Sequence, residues 1–390
     1  MSAAELRASA SLASVFALRL FGMFVILPVF ALWTEGRPGW DLTLAGIAMG
    51  AYGLTQAALQ LPFGWISDRR GRKPVIYVGL VMLAAGSFLA AASESPWLVI
   101  AGRMLQGAGA ISATVMALAA DLTRESQRTK TMAIIGGTIG GVFALSFAAG
   151  PFLTRLVGVP GIFAITGALA IAAMAVVRFV VPDEPPGLTA SEPRAFRELL
   201  RNPELARLNV GIFALHAVLM ALFIVVPVAL ARAGLPAADH GWAYLGTVAA
   251  GFVLALPAFL RHSRQERPTF LAAIVTVVVA IGVLMARLDS LATILVALVI
   301  FFAGFNVLEA KLPALVSRAA PREARGAATG VYSSVQFFGT FCGAAAGGAV
   351  AQHAGFLAVL ASCAAVALAW LAVAWNMGEF VPAAPPDLRT

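Results

Sequence analysis

Residues 291–315 read LATILVALVIFFAGFNVLEAKLPAL, a run whose only charged residues are Glu309 and Lys311. A helix rises about 1.5 Å per residue, so this run is long enough to cross a hydrocarbon layer about 30 Å thick. Eleven more runs qualify, near 12–33, 42–66, 74–93, 97–121, 131–155, 159–181, 207–231, 241–260, 268–287, 327–352 and 355–376. They are apolar at odd and even positions alike, which excludes a β-barrel, whose strands alternate over about 10 residues. With 60% hydrophobic and 12% charged residues and a mean hydropathy of +0.89, the chain has too little polar surface for a soluble protein of 390 residues. The expectation is an all-α integral membrane protein with twelve transmembrane helices.

The charged and histidine residues well inside these runs, away from their ends, follow a period of three. Arg19 lies in the first, Arg103 in the fourth, His216 in the seventh, and Glu309 with Lys311 in the tenth. A charge at the bilayer centre costs at least about 2.5 kcal/mol unless it faces water or a partner, so these four helices are expected to line one shared interior. Phe24, Met220 and Phe223, with Asn306 three residues before Glu309 and Gln336 in the eleventh run, are the candidate cavity and substrate contacts.

Twenty of the 27 Lys and Arg residues fall on the side of the two termini, while the opposite loops hold only Arg37, Arg155, Arg232 and Arg287. The bias predicts cytoplasmic termini. It also accounts for the net charge of +8 without nucleic acid, because the bases are spread over short loops. The opening MSAAELRASA lacks the basic segment and cleavage site of a signal peptide, so the first run reads as an uncleaved span. Cys342 and Cys363 lie inside spans without metal-ligand spacing, and no metal is expected.

The two halves of the chain resemble each other. Phe24–Val29 (FVILPV) recurs as Phe223–Val228 (FIVVPV), Leu61-Pro62 as Leu256-Pro257, Pro74 as Pro268, and the GxxxG at Gly136 as that at Gly339, at offsets of 199, 195, 194 and 203. Four matches in chain order indicate a duplicated unit of six helices. The expected organisation is an N-terminal bundle at 1–181, a cytoplasmic linker at 182–206, a C-terminal bundle at 207–376 and a tail at 377–390. Within the linker, Arg194–Leu200 suits a short amphipathic surface helix. GxxxG spacings at Gly46/Gly50, Gly136/Gly140, Gly137/Gly141 and Gly339/Gly343/Gly347 predict close packing among spans two, five and eleven. Two such bundles around a central polar cavity suit alternating access.

The loop after the second span, Gly64-Trp65-Ile66-Ser67-Asp68-Arg69-Arg70-Gly71-Arg72-Lys73, resembles the GxLxDRxGRK signature of the major facilitator superfamily, with Ile66 in place of Leu. Gly102–Gly109 (GRMLQGAG) is similar to the superfamily's fourth-helix motif. Gly150-Pro151 resembles its antiporter motif, although the closing Gly-Gly is replaced around Leu153-Thr154. Leu18–Phe24, Tyr52–Ala57, Asp121–Glu125 and Gly330–Phe337 are similar to the bacterial YajR-type inner-membrane transporters, grouped with the drug:proton antiporters. The founding type also carries a soluble C-terminal domain, before which this sequence stops.

The resemblance implies two six-helix bundles in a bacterial inner membrane, and a latch in which Asp68 docks on the start of the eleventh helix with Arg72 and Asp121 in support. Gly64, Arg69 and Gly71 complete that loop. It also links Arg103 to proton movement. From the residues themselves, Glu309 is the expected proton carrier, being the one acid well within a span. His216, which ordinarily titrates near neutral pH, is the alternative. Glu309 paired permanently with Arg19 would instead only tie the halves together. Arg19, Arg103 and Lys311 against Glu309 make the interior formally +2, which predicts a preference for neutral or anionic amphiphiles. The expected activity is proton-coupled efflux of small lipophilic molecules, with import or facilitated passage of a metabolite on the same fold as the alternative. Partners are the lipid bilayer, protons and a small-molecule substrate, with no cofactor beyond the proton gradient, and the chain is expected to act as a monomer. An enzyme would need a clustered nucleophile, a metal site or paired carboxylates, which four His and one intramembrane acid do not supply.

Overall fold

A computed structural model describes residues 1–183, 199, 201–260, 266–321 and 324–378, and the described residues are almost entirely helical. The first span is the helix Ala3–Phe24 continued, after a break at Val25-Ile26, by Leu27–Thr34. Pro28 causes the break, because it has no N–H and its ring crowds the carbonyl of Phe24. The second and third spans are Leu42–Arg70 and Arg72–Ala91. The fourth is Pro96–Ala108 with Ser112–Asp121. The seventh to tenth are Pro203–Arg232, His240–Leu260, Glu266–Ala286 and Leu291–Ala319.

Two helices are far too long for one crossing. Glu125–Phe179 has 55 residues and Arg325–Trp375 has 51. Each is broken by one glycine in the left-handed region, Gly158 at φ 68° and Gly355 at φ 81°. A side chain is strained there, so glycine lets the chain turn with almost no loop. They are therefore spans five with six and eleven with twelve, which completes the expected twelve. The face bearing both chain ends is called here the terminal face, and the opposite one the distal face. Helices extend beyond the apolar runs: the seventh begins at Pro203, capped by the Asn202 side chain, inside the segment assigned to the linker. Residues 184–198 of the linker, including most of the amphipathic stretch 194–200, and the tail from 379 lie outside the described residues.

Glycines decide how closely the helices approach, though not all of those the spacing marked. A methyl group on Gly46 would stand 2.2 Å from Ala344 O, and one on Gly53 2.6 Å from Phe337 O, so span two lies directly on span eleven. On another face of span eleven, Gly339 and Gly343 meet the backbone of Phe213 and Ala217 in span seven, at 2.5 and 2.1 Å. The eleventh helix is thus wedged between the second and the seventh. Span five departs from the expectation. Gly136, Gly137, Gly140 and Gly141 have nothing within 4 Å of a built Cβ, and only Gly150, beside Pro151, is tight, at 2.5 Å from Val25 O. Small residues permit close approach but do not supply a partner: the glycine face of this helix's terminal half is open, while Thr131 and Ile135 on its other face are buried, Thr131 against Ser9 of span one.

The halves are sealed together on the distal side. Arg232 pairs with Glu35 at 3.2 Å, the Leu42 amide donates to Gln352 at 3.1 Å, and Gly241 abuts Ala148 O. Beneath these contacts Phe147 packs edge-on against Phe223 and Tyr244, with centroids at 5.0 and 5.8 Å. The void enclosed by Phe223, Tyr244, Phe301 and Phe302 is about 10 Å³, room for one water at most. Deeper, Phe143 of the first half stacks on Phe305 of the second at 6.0 Å.

Gly343→Leu should lose at least about 1–3 kcal/mol through overpacking against span seven. Gly140→Ala should be neutral or gain up to about 1 kcal/mol of helix propensity. Thermal unfolding of the detergent-purified variants distinguishes them, and equal losses would contradict this packing.

Candidate transport site and latch

In span ten, Asn306 and Glu309 are three residues apart and share a face, whereas Lys311 is rotated about 200° from Glu309. That rotation separates two residues that the sequence groups together. Lys311 leaves the interior and lies 4.0 Å from Glu266, which also accepts from Arg318 at 2.6 Å.

Glu309 instead faces spans seven and eleven. Gln336 Nε2 lies 2.8 Å from His216 Nε2 and donates to Glu309 Oε1 at 3.3 Å. His216 Nδ1 is 3.3 Å from Ile212 O, so its proton sits on Nδ1 and Nε2 accepts from Gln336. One amide group therefore bridges an imidazole and a carboxylate on two other helices. His216 Nε2 is 3.9 Å from Glu309 Oε2, which has no hydrogen-bond partner among the described residues; nor has Asn306 Nδ2 nor the Tyr332 hydroxyl, one turn before Gln336. Buried polar atoms in this condition mark a site that is completed by something else. The Glu309 side chain is 36% exposed and that of His216 12%. The sequence offered these two as alternative proton carriers; the structure joins them.

The arginines belong elsewhere. Arg19 is 1% exposed and lies inside the first bundle, donating to Ser112 Oγ at 2.7 Å and to Gln56, which donates on to Gln60 at 2.8 Å. Arg103, 2% exposed, donates to Ala48 O, Met49 O and Gln106 Oε1. Both guanidinium carbons flank the Tyr52 ring, at 5.9 and 5.1 Å from its centroid. Neither meets a carboxylate among the described residues, so Arg19 is neither a cavity contact nor the partner of Glu309. Met220 and Phe223 are also buried, Phe223 within the distal seal, and belong to the core, not the cavity wall that their sequence positions suggested. Phe24 is half-buried, edge-on to Phe143 at 5.1 Å. With Lys311 paired and both arginines enclosed, the ionisable group most open to the interior is an acid. The expected excess of positive charge is absent from the cavity surface.

At the terminal face, Arg72 Nη1 contacts Asp68 and donates to Ser67 Oγ at 2.7 Å, while its Nε meets Asp121 Oδ2 at 3.2 Å. The fork of the guanidinium lets one residue engage three partners. Gly71, at φ 93°, turns the chain from span two to span three and sets Arg72 at the start of the next helix. Arg69 does not join the network; it lies 3.7 Å above the Trp65 ring. Gly64 has open space around it. The line of contact between spans two and eleven continues to Leu61 beside Gly330. Residues 322–323, just before span eleven, lie outside the described residues.

Sequence reasoning missed Gln56, Gln60 and Tyr52 as the surroundings of the buried arginines. The i,i+4 spacing of the two glutamines inside an apolar helix was the available signal.

A sequence profile of the Major Facilitator Superfamily matches residues 12–339. The chain is 41% identical over 385 residues, 97% of its length and 85% of the relative's, to the inner membrane transport protein YajR of Escherichia coli (strain K12). A shorter match, 32% over 118 residues, covers 30% of this chain and 29% of the multidrug resistance protein MdtH of Yersinia enterocolitica. Among solved structures, a bacterial homologue of the human lysosomal transporter Spinster, in an inward-facing and occupied conformation, superposes with a TM-score of 0.78 at 13% identity, covering 96% of this chain and 97% of that one.

Gln56→Leu removes an acceptor from a buried cation and should destabilise the protein by about 3 kcal/mol. Tyr52→Phe removes a hydroxyl that has no partner and should change stability by less than about 1 kcal/mol. Thermal melts of both variants provide the check, and a loss for Tyr52→Phe as large as for Gln56→Leu would contradict the assignment.

Proposed function

This chain belongs to the major facilitator superfamily and is a multi-pass membrane transporter, and we propose that it exports small lipophilic molecules in exchange for protons. The observation that carries the reading is the Gln336 amide shared by His216 and Glu309. While His216 is neutral, its Nε2 accepts from Gln336. A proton arriving on Nε2 turns that acceptor into a donor, so the amide must rotate or withdraw. Glu309 Oε2, 3.9 Å away, becomes the natural partner of the new cation. One proton thereby rearranges contacts among spans seven, ten and eleven, and span eleven is the helix wedged against the other bundle. Coupling needs such a link between a charge and an interface with two arrangements.

Phe24, Phe143 and Phe305 give the interior aromatic surfaces, which suit a lipophilic substrate better than a sugar. Glu309 as the open ionisable group favours neutral or cationic substrates, in place of the anionic preference that the uncorrected charge count suggested. A cation and a proton would then compete for one carboxylate.

The excess of Lys and Arg on the terminal face supports cytoplasmic termini in a bacterial inner membrane. The distal seal and the open space beside Gly136 and Gly140 then fit an inward-facing state. The contacts of Arg72 with Asp68 and Asp121 support a latch role for this loop, in which the N-terminus of span eleven would favour the Asp68 carboxylate.

Everted vesicles test the exchange. An acid interior should drive uptake of ethidium or a neutral lipophilic dye by the intact protein, with Glu309→Gln losing at least about tenfold of the gradient-driven rate, a barrier increase of about 1.4 kcal/mol. Uptake that ignores the gradient, or survives in Glu309→Gln, would overturn the reading.

A further inference from the structure

Away from the transport pathway, a groove of about 610 Å³ opens on the side of the first bundle at the terminal face, between spans three and six. Lys73 and Tyr77 form one wall, Met174 and Arg178 the other, and Ile171 extends the apolar floor toward the bilayer interior. Ile171 is 50% exposed and lies seven residues before Arg178, about 10 Å deeper along the helix. The groove thus has a basic mouth at the level of the headgroups and an apolar floor at the depth of acyl chains.

At the mouth, Lys73 Nζ donates to Val181 O at 3.0 Å and to Asp183 Oδ1 at 2.8 Å. From the first span, Arg7 donates to Val180 O at 3.1 Å, bringing a third base to the same helix end. Among the described residues, Asp183 is the acid at this mouth. Its carboxylate is fully exposed, and Lys73, with Arg178 behind it, holds it below the usual carboxylate range. It occupies an anion position while remaining free to exchange with solvent.

We propose that this groove binds an anionic phospholipid, whose phosphate replaces the Asp183 carboxylate on Lys73 with Arg178 as its second cation and one acyl chain along Met174 and Ile171. Basic pockets between spans suit lipid phosphates, and the apolar floor distinguishes a membrane lipid from a soluble phosphate. Asp183 lies at the start of the connection between the bundles, so an exchange at Lys73 would release this residue from the end of the first bundle. The assignment requires only that the chain be embedded in a bilayer, and is independent of the cargo and the coupling ion.

Native mass spectrometry of the full chain, titrated with phosphatidylglycerol and separately with phosphatidylethanolamine, tests it. One phosphatidylglycerol should be retained in preference to phosphatidylethanolamine. Arg178→Gln should weaken that binding about fivefold and Asp183→Asn should strengthen it by a similar factor, as expected for about one charge at the headgroup level. A folding defect cannot produce the opposite signs. Equal retention of the two lipids, or weaker or unchanged phosphatidylglycerol binding in Asp183→Asn, would overturn the proposal.

Discussion

The hydrocarbon core offers no hydrogen-bond partners, so every polar side chain inside this protein must find one within the protein or face the interior. Each interior cation meets the constraint differently. Arg19 is held by Gln56 and Ser112, Arg103 by backbone carbonyls and Gln106, and Lys311 by turning away to Glu266. What remains accessible is the group of His216, Gln336 and Glu309, supplied by three helices and incompletely satisfied. A site that is fully satisfied in one arrangement has no reason to change; this one leaves a carboxylate oxygen, an amide nitrogen and a phenol without partners.

The same economy governs the scaffold. Helices in lipid gain little from apolar contact and rely on close backbone approach, so glycines determine which helices meet. Span eleven presents Gly339 and Gly343 to span seven, while Ala344 and Gly348 receive span two. Gln336 is therefore carried by the helix that packs on both bundles. The duplication extends to charge, with a change of sign. Arg72 at the start of span three engages Asp121 at the end of span four; Glu266, at the matching start of span nine, engages Arg318 at the end of span ten. Both ties brace helix pairs on the terminal face.

Length, apolar runs and the signature loop made the fold legible, since membrane crossing is a one-dimensional constraint. The turns at Gly158 and Gly355 fall where the apolar runs divide, beside Arg155 and Gln352-His353; what the sequence left unread is that a single glycine makes each turn with almost no loop. The site was legible in part. The spacing of Asn306 and Glu309 placed them on one face, and the Asp68, Arg72 and Asp121 network follows from the family resemblance and is present. The misreadings have one cause: depth along a helix is legible in sequence, but direction is not. Arg19, Met220 and Phe223 sit at the right level but turn into their own bundle or the distal seal. Gly136 and Gly140 have the right spacing but no opposing helix.

The central claim is that His216 and Glu309 titrate as one unit through Gln336. Infrared difference spectroscopy of the purified protein across a pH titration reads carboxyl and imidazole protonation separately. The account predicts a Glu309 carboxyl signal and a His216 ring signal that change together and are uncoupled by Gln336→Leu. Two signals that titrate independently in the unsubstituted protein, or a His216 signal unaltered by Glu309→Gln, would contradict it.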